Sequence, residues 1–186
     1  RLDETDLARL LEHAVERANQ VLLGYARKHS EEAADMGSTL TLAVVEGNRA
    51  TVANVGDSRA YLWRNGWLRQ LTDDHSVPGA LLRQGQITPE EADEHPHRHV
   101  LYRCLGHKPG LEVDIYPSLM LRHGDALLLC SDGLWDMLSP AEKLAAFLTP
   151  ETSPLVTCRR LVDAANEAGG EDNITVVLVR VEERDA

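Results

Sequence analysis

Three aspartates in this 186-residue chain stand where short apolar runs begin or end. Asp132 follows the run in "LLLCSDGLWD", Asp172 precedes the run in "GGEDNITVVLV", and Asp57 lies between two runs in "NVGDSRAY". Taken singly, each reads as turn chemistry, because Asp and Gly supply the backbone conformations a tight turn needs. Taken together they allow a second reading. Strand ends join a rigid scaffold to solvent and hold functional side chains there. Carboxylates gathered in one place repel one another, and their pKa values rise unless a cation neutralises them. An all-carboxylate set without Cys or His suits a hard cation, so Mg2+ or Mn2+ is expected rather than Zn2+. Asp132, Asp172 and Asp57 are therefore the candidate metal ligands.

Other reactive side chains offer less. His95, His97 and His99 alternate in "HPHRH", and on a strand they would share a face, as a zinc or nickel site requires. Pro96 and the polar surroundings argue for a solvated loop instead. Cys130 lies in an apolar run and reads as a small core hydrophobe. A cysteine phosphatase would need a glycine- and arginine-rich anion loop after it, and none follows. Trp135 reads as packing beneath the site. Arg59 reads as an ion-pairing residue before a substrate contact. Ser38 and Thr39 read as strand-start residues.

The elements that must position these residues follow from periodicity. Apolar residues recur every three or four positions from Asp3 to about His29, which predicts a helix with one broad buried face. Ser38–Glu46, Arg49–Val55, Arg59–Arg64 and Trp67–Leu71 are β-rich runs separated by "EGN", "GDS" and "RNG", so they predict an antiparallel meander. Thr72 to about Gly110 is a long polar insertion, in which Thr88 caps a short helix with Pro89 in its first turn. Strands are expected at Glu112–Leu119 and Ala126–Cys130, helices at Pro140–Leu148 and Pro154–Ala168, and a final strand at Asn173–Val181. Helices and strands are segregated, so the class is α+β. The strands are too apolar for a sheet with one wet face, which predicts two packed sheets covered by helices.

Composition excludes several functions. The formal net charge is −11, which disfavours nucleic acid and anionic membrane surfaces as partners. No stretch approaches the roughly 20 apolar residues of a membrane span, and the start shows no signal-peptide pattern. Cys104, Cys130 and Cys158 are odd in number and far apart, which predicts reduced thiols and a cytoplasmic location.

The motifs "GSTLTLAVV", "VANVGDSRAYL", "LLLCSDGLWD" and "GGEDNITVVLV" resemble, in order, those of the metal-dependent serine/threonine phosphatases of the protein phosphatase 2C type. The resemblance runs from Gly37 to Val181, and "ITPEEADEHPHRHVLYRCLG" is similar to the flap of the family's bacterial branch. It implies a four-layer α/β/β/α sandwich of two antiparallel sheets, with a single phosphatase domain over 1–186 and a flap over 72–110. It also implies hydrolysis of phosphoserine and phosphothreonine in proteins by a metal-activated water, with phosphoproteins made by a Ser/Thr kinase as partners. Asp132 and Asp172 match the family's metal-binding aspartates, and Asp57 matches one that helps hold a third, weaker metal. Two departures are evident. An arginine that holds the phosphate and a second Asp-Gly motif whose Asp spans both metals are not found in Arg1–Ala186, which begins with Arg and not Met. His99 stands where bacterial relatives often carry serine. The expectation is a member lacking its N-terminal strands, inactive or nearly so by itself, weak in Mn2+ binding and prone to self-association. The rival expectations are a catalytically silent phosphatase-like binding module and a sporulation-type regulatory phosphatase of the same fold.

Overall fold

The structure, a computed structural model, describes residues 3–182. The first helix, α1 (Glu4–Lys28), starts where Asp3 accepts a hydrogen bond from the Asp6 amide, with Glu4 and Asp6 in its first turn and Arg27 and Lys28 in its last. Both ends thus complement the helix dipole. A single turn, α2 (Ser30–Ala33), follows. The four expected strands form as β1 (Leu40–Glu46), β2 (Arg49–Val55), β3 (Arg59–Arg64) and β4 (Trp67–Gln70), but not as one meander: β1 pairs with β2 and β3 with β4, and the Gly56–Ser58 segment crosses from one sheet to the other instead of closing a hairpin. The insertion is less loop-like than its polarity suggests. It holds α3 (Val77–Arg83), capped by Ser76, and α4 (Pro89–Asp93), where Thr88 and Glu91 form a reciprocal capping box. Next come β5 (Asp114–Met120), β6 (Ala126–Cys130), the single-turn α5 (Asp132–Trp135), α6 (Ala141–Ala145), α7 (Pro154–Glu167) and β7 (Val176–Arg180).

The strands form two antiparallel sheets, ordered β1-β2-β5 and β4-β3-β6-β7. Alternation sorts their side chains between layers. Leu127 of β6, with Ala50 and Leu62, packs between the sheets, while Leu128 and Cys130 face Leu161 and Ala165 of α7. On the other flank, Leu7 and Leu11 of α1 cover Ala53. The result is the expected four-layer α/β/β/α sandwich. The final strand departs from expectation. It begins at Val176 rather than Asn173, and it pairs only with β6 among the described residues. Val177 and Val179 are consequently 50 % and 38 % exposed.

Candidate active site

Residues 130–133 and 172–175 meet at one end of the four-stranded sheet, and the sequence explains how. Ser131 occupies the N-cap position of α5, yet its side chain does not cap that helix. Its Oγ instead donates to the Asn173 carbonyl (3.0 Å) and accepts from the Thr175 amide (3.0 Å). The Ser131 amide adds a bond to the Thr175 carbonyl at 3.2 Å. Gly133 completes the junction. A Cβ there would lie 2.5 Å from the Asn173 carbonyl oxygen, so only glycine permits the two backbones to approach.

Asp132 and Asp172 are thereby brought to one small cavity of about 170 Å³, together with Asp136, Glu171 and His99. One oxygen of Asp132 accepts the Gly133 amide (2.9 Å), and one oxygen of Asp172 accepts the Asn173 amide (2.6 Å). The second oxygen of each carboxylate is left for a ligand. Asp57 does not line this cavity. It is only 5 % exposed, in the turn after Gly56, whose φ of 108° suits glycine. Burial first, then the charges of Asp132 and Asp74, push its carboxyl up to about 6. Asp57 is thus an electrostatic neighbour of Asp132 and not an exposed turn residue.

A polar layer supports this end of the sandwich. Arg59 grips both oxygens of Asp74 from Nε (3.0 and 3.1 Å) and Oδ2 again from Nη2 (2.7 Å), and its guanidinium stacks 3.5 Å above the Trp135 ring. The Trp135 indole N–H donates to the Asp57 carbonyl at 3.0 Å, so the packing residue also fixes the turn. His75 is fully buried. Its Nδ1 accepts the Gly56 amide (3.0 Å), so its proton sits on Nε2, 3.0 Å from Asp114 Oδ2. Burial holds this imidazole below its ordinary pKa, which keeps it neutral for that role.

Three residues of the site went unread in the sequence. Asp136 lies four positions after Asp132, a helical spacing that α5 makes real. Glu171 adjoins Asp172, and Ser131 adjoins Asp132. His95 and His97 do not sit on a strand; their rings are tilted 5.8 Å apart in a turn, while His99 alone reaches the acidic cavity. Cys130 is buried, and its thiol is pushed up to about 12 by burial, so it is no nucleophile.

Among the described residues no three His, Cys, Asp or Glu side chains converge as a closed metal shell. The donor set nevertheless fits a hard divalent cation. Mg2+ and Mn2+ accept one or two carboxylates and complete their coordination with water. Asp132 and Asp172 offer that kind of partial, all-oxygen shell.

Residues 1–166 match the family Protein phosphatase 2C. The chain belongs to this family. It is 40 % identical over 169 residues to the serine/threonine phosphatase stp of Listeria welshimeri, covering 91 % of this chain and 66 % of that protein. The chain thus spans just under two thirds of that relative's length. The crystal structure of the serine/threonine phosphatase Stp1 from Staphylococcus aureus superposes with a TM-score of 0.89 at 32 % identity, over 98 % of this chain and 71 % of that one. The catalytic domain of the phosphatase PstP, solved in complex with two manganese ions, gives 0.77 at 36 % identity, over 93 % of this chain and 70 % of that one.

Proposed function

We propose that this protein phosphatase 2C chain serves the hydrolysis of phosphoserine and phosphothreonine in proteins, with Mg2+ or Mn2+ held by Asp132 and Asp172 and with Asp57 supporting a weaker ion. The observation that carries this reading is the junction at Ser131 and Gly133, which turns two carboxylates from distant strand ends into one cavity. The manganese of the PstP structure supports the choice of cation. When bound, such a cation lowers the pKa of a water and neutralises charge on a phosphate monoester. The chain's own residues hold and orient. Asp132 and Asp172 present their free oxygens, and Asp57 adds negative potential from behind. Arg98 ties the insertion to Asp136 at 3.5 Å, which keeps His99 at the cavity mouth.

The same reading makes residues 1–186 one phosphatase domain in which residues 72–110 act as a flap. A second clasp supports that role, since Ser139 donates to Asp93 at 2.6 Å. Substrates would be phosphoproteins made by a Ser/Thr kinase. No helix among the described residues is long and apolar enough to cross a membrane. Three free cysteines favour a reducing compartment, and we place the chain in the cytoplasm on that ground.

The test, run on a form of the protein that also carries a phosphate-holding arginine and a second Asp-Gly motif, is hydrolysis of a phosphothreonine peptide and of an aryl phosphate with added Mn2+, with EDTA and in Asp132→Asn. Turnover should need Mn2+, vanish in EDTA, and fall by orders of magnitude in the variant. Turnover that survives EDTA, or a variant as fast as the parent, would refute the assignment.

A further inference from the structure

A second cavity, of about 820 Å³, lies between the α3–α4 segment and β3, β4 and α6. That volume suits a small ligand or a few peptide side chains. Its apolar walls include Pro78, Leu82, Pro89 and Pro140, and the Arg59–Trp135 stack lies at its side. Its charges are unbalanced. Arg59, Arg83 and Arg98 line it; Arg59 and Arg98 face carboxylates, while Arg83 keeps its charge near Asp73, and the lining is still net acidic. Arg59 binds Asp74, Arg83 donates to the Tyr102 hydroxyl, and Arg98 faces Asp136. Five carboxylates line the same space. Asp74 is taken by Arg59, and Asp93 accepts from Ser139. Asp73, Glu90 and Glu142 have no ion-pair partner among the described residues.

This cavity adjoins the acidic one. Arg98 lines the larger space, its partner Asp136 lines the smaller, and the pair forms the wall between them. A group in the larger cavity therefore lies beside the phosphate position that the proposed function requires. We propose that the larger cavity receives an arginine or lysine side chain flanking the phosphoresidue of the substrate protein, a reading that rests on the phosphatase assignment for its neighbour. An aliphatic stem against prolines and leucine, with a cationic head among unpaired carboxylates, is the arrangement long basic side chains favour. The Nε of Arg98 is buried 3.5 Å from Asp136 Oδ2, so the wall between the two cavities is held from within. The net charge of −11 would also draw basic segments toward the chain.

The inference is tested by calorimetry with two unphosphorylated peptides that differ only in arginine or alanine beside a threonine. Two partly solvated ion pairs predict an affinity about fivefold higher for the arginine peptide. That ratio should fall toward one in the double variant Glu90→Gln/Glu142→Gln, whose substitutions lie on the surface and preserve side-chain size. Equal binding of the two peptides by the parent would overturn the inference. So would a preference that persists in the double variant, because it would then come from the general negative charge. These peptides carry no phosphate, so the result stands apart from the Mn2+ and EDTA assay, and either reading can fail alone.

Discussion

Replacing Gly133 with alanine is a direct test of how the two acidic loops are joined. Gly133 lies in the first turn of α5 at an ordinary negative φ, so glycine is not needed there for its backbone freedom. It is needed for space. The added Cβ would sit 2.5 Å from the Asn173 carbonyl oxygen, whereas real Cβ atoms essentially never come within 3.0 Å, so the 172–173 backbone must retreat by at least 0.5 Å. It cannot retreat freely, because Ser131 holds that same carbonyl. Overpacking of this kind costs about 1–3 kcal/mol. The loss of glycine's freedom in the unfolded chain returns about 0.4–1 kcal/mol. Gly133→Ala should therefore be destabilised by about 1–2 kcal/mol in urea unfolding. A shift of that size reaches the roughly 0.5 Å tolerance of a functional constellation, and loss of a supporting contact typically weakens metal binding about tenfold or more. A Mn2+ titration followed by calorimetry reads that effect. Gly24→Ala in α1 is the control. It has nothing within 4 Å of the new methyl, so it should gain about 0.5–1 kcal/mol from helix propensity alone. A Gly133→Ala protein with parental stability and parental Mn2+ affinity would refute the close-approach reasoning.

Asp57→Asn should stabilise the metal-free protein at neutral pH. A carboxyl raised from 3.8 to about 6 on folding favours the native state fully below pH 3.8 and loses that contribution as pH climbs through 6, a penalty of about 3 kcal/mol at pH 7 that amide substitution removes. Urea midpoints at pH 4 and pH 7 check this: the parent should lose stability over that interval relative to the variant, and saturating Mn2+ should reverse their order. Asp74→Ala leaves the Arg59 guanidinium without three of its four hydrogen bonds, and with the Tyr61 bond and the Trp135 stack retained it should cost about 2–4 kcal/mol in thermal unfolding, with Asp74→Asn milder. Asp125 is 1 % exposed; burial opposes its charge, but Arg64 and the Arg122 amide outweigh it and hold the carboxyl below its ordinary value. Its stabilising contribution should therefore be intact above pH 3.8 and disappear as pH falls through the lowered folded value, so Asp125→Asn should flatten the acid limb of a stability–pH profile.

The strands and long helices were legible because each is bounded by its own grammar. Hairpin dipeptides separate β1 from β2 and β3 from β4, and a three–four apolar rhythm marks α1 and α7, while the crossing between sheets at Gly56–Ser58 carries the same turn letters and read as a third hairpin. The 72–110 insertion was only half legible. The Thr88 capping box is local, and it could be read. Ser76 starting α3 is also local, but the buried polar run Thr72, Asp74, His75 and Ser76 looks like a solvated loop until its partners are known. The partners of Thr72, Asp74 and His75 include Ala60, Arg59, Gly56 and Asp114, all outside the insertion. The burial of Asp57 was illegible for the same reason. A turn between strands is normally wet, but this one is roofed by Trp135 from a helix that its own surroundings do not announce.

The triplet Ser131-Asp132-Gly133 shows why the candidate site could be found and yet not understood from one strand end. As local sequence it spells a turn, and any turn-forming triplet would serve. In three dimensions its residues do separate work: Ser131 binds the opposite loop, Asp132 faces the cavity, and Gly133 makes room for that loop's backbone. Each partner lies about forty residues away, at Asn173 and Thr175. Turn propensity and site geometry are thus carried by the same three letters but constrained by different physics. Substitutions that satisfy the first, such as Ser131→Asn, would keep the turn and the fold while removing the hydroxyl that both donates and accepts across the junction. The acids would then stay on stable strand ends, still held side by side by the Ser131 amide and the β6–β7 ladder, but with the 172–173 backbone less tightly fixed against Asp132, which is the sense in which this site depends on the contact between loops as well as on its carboxylates.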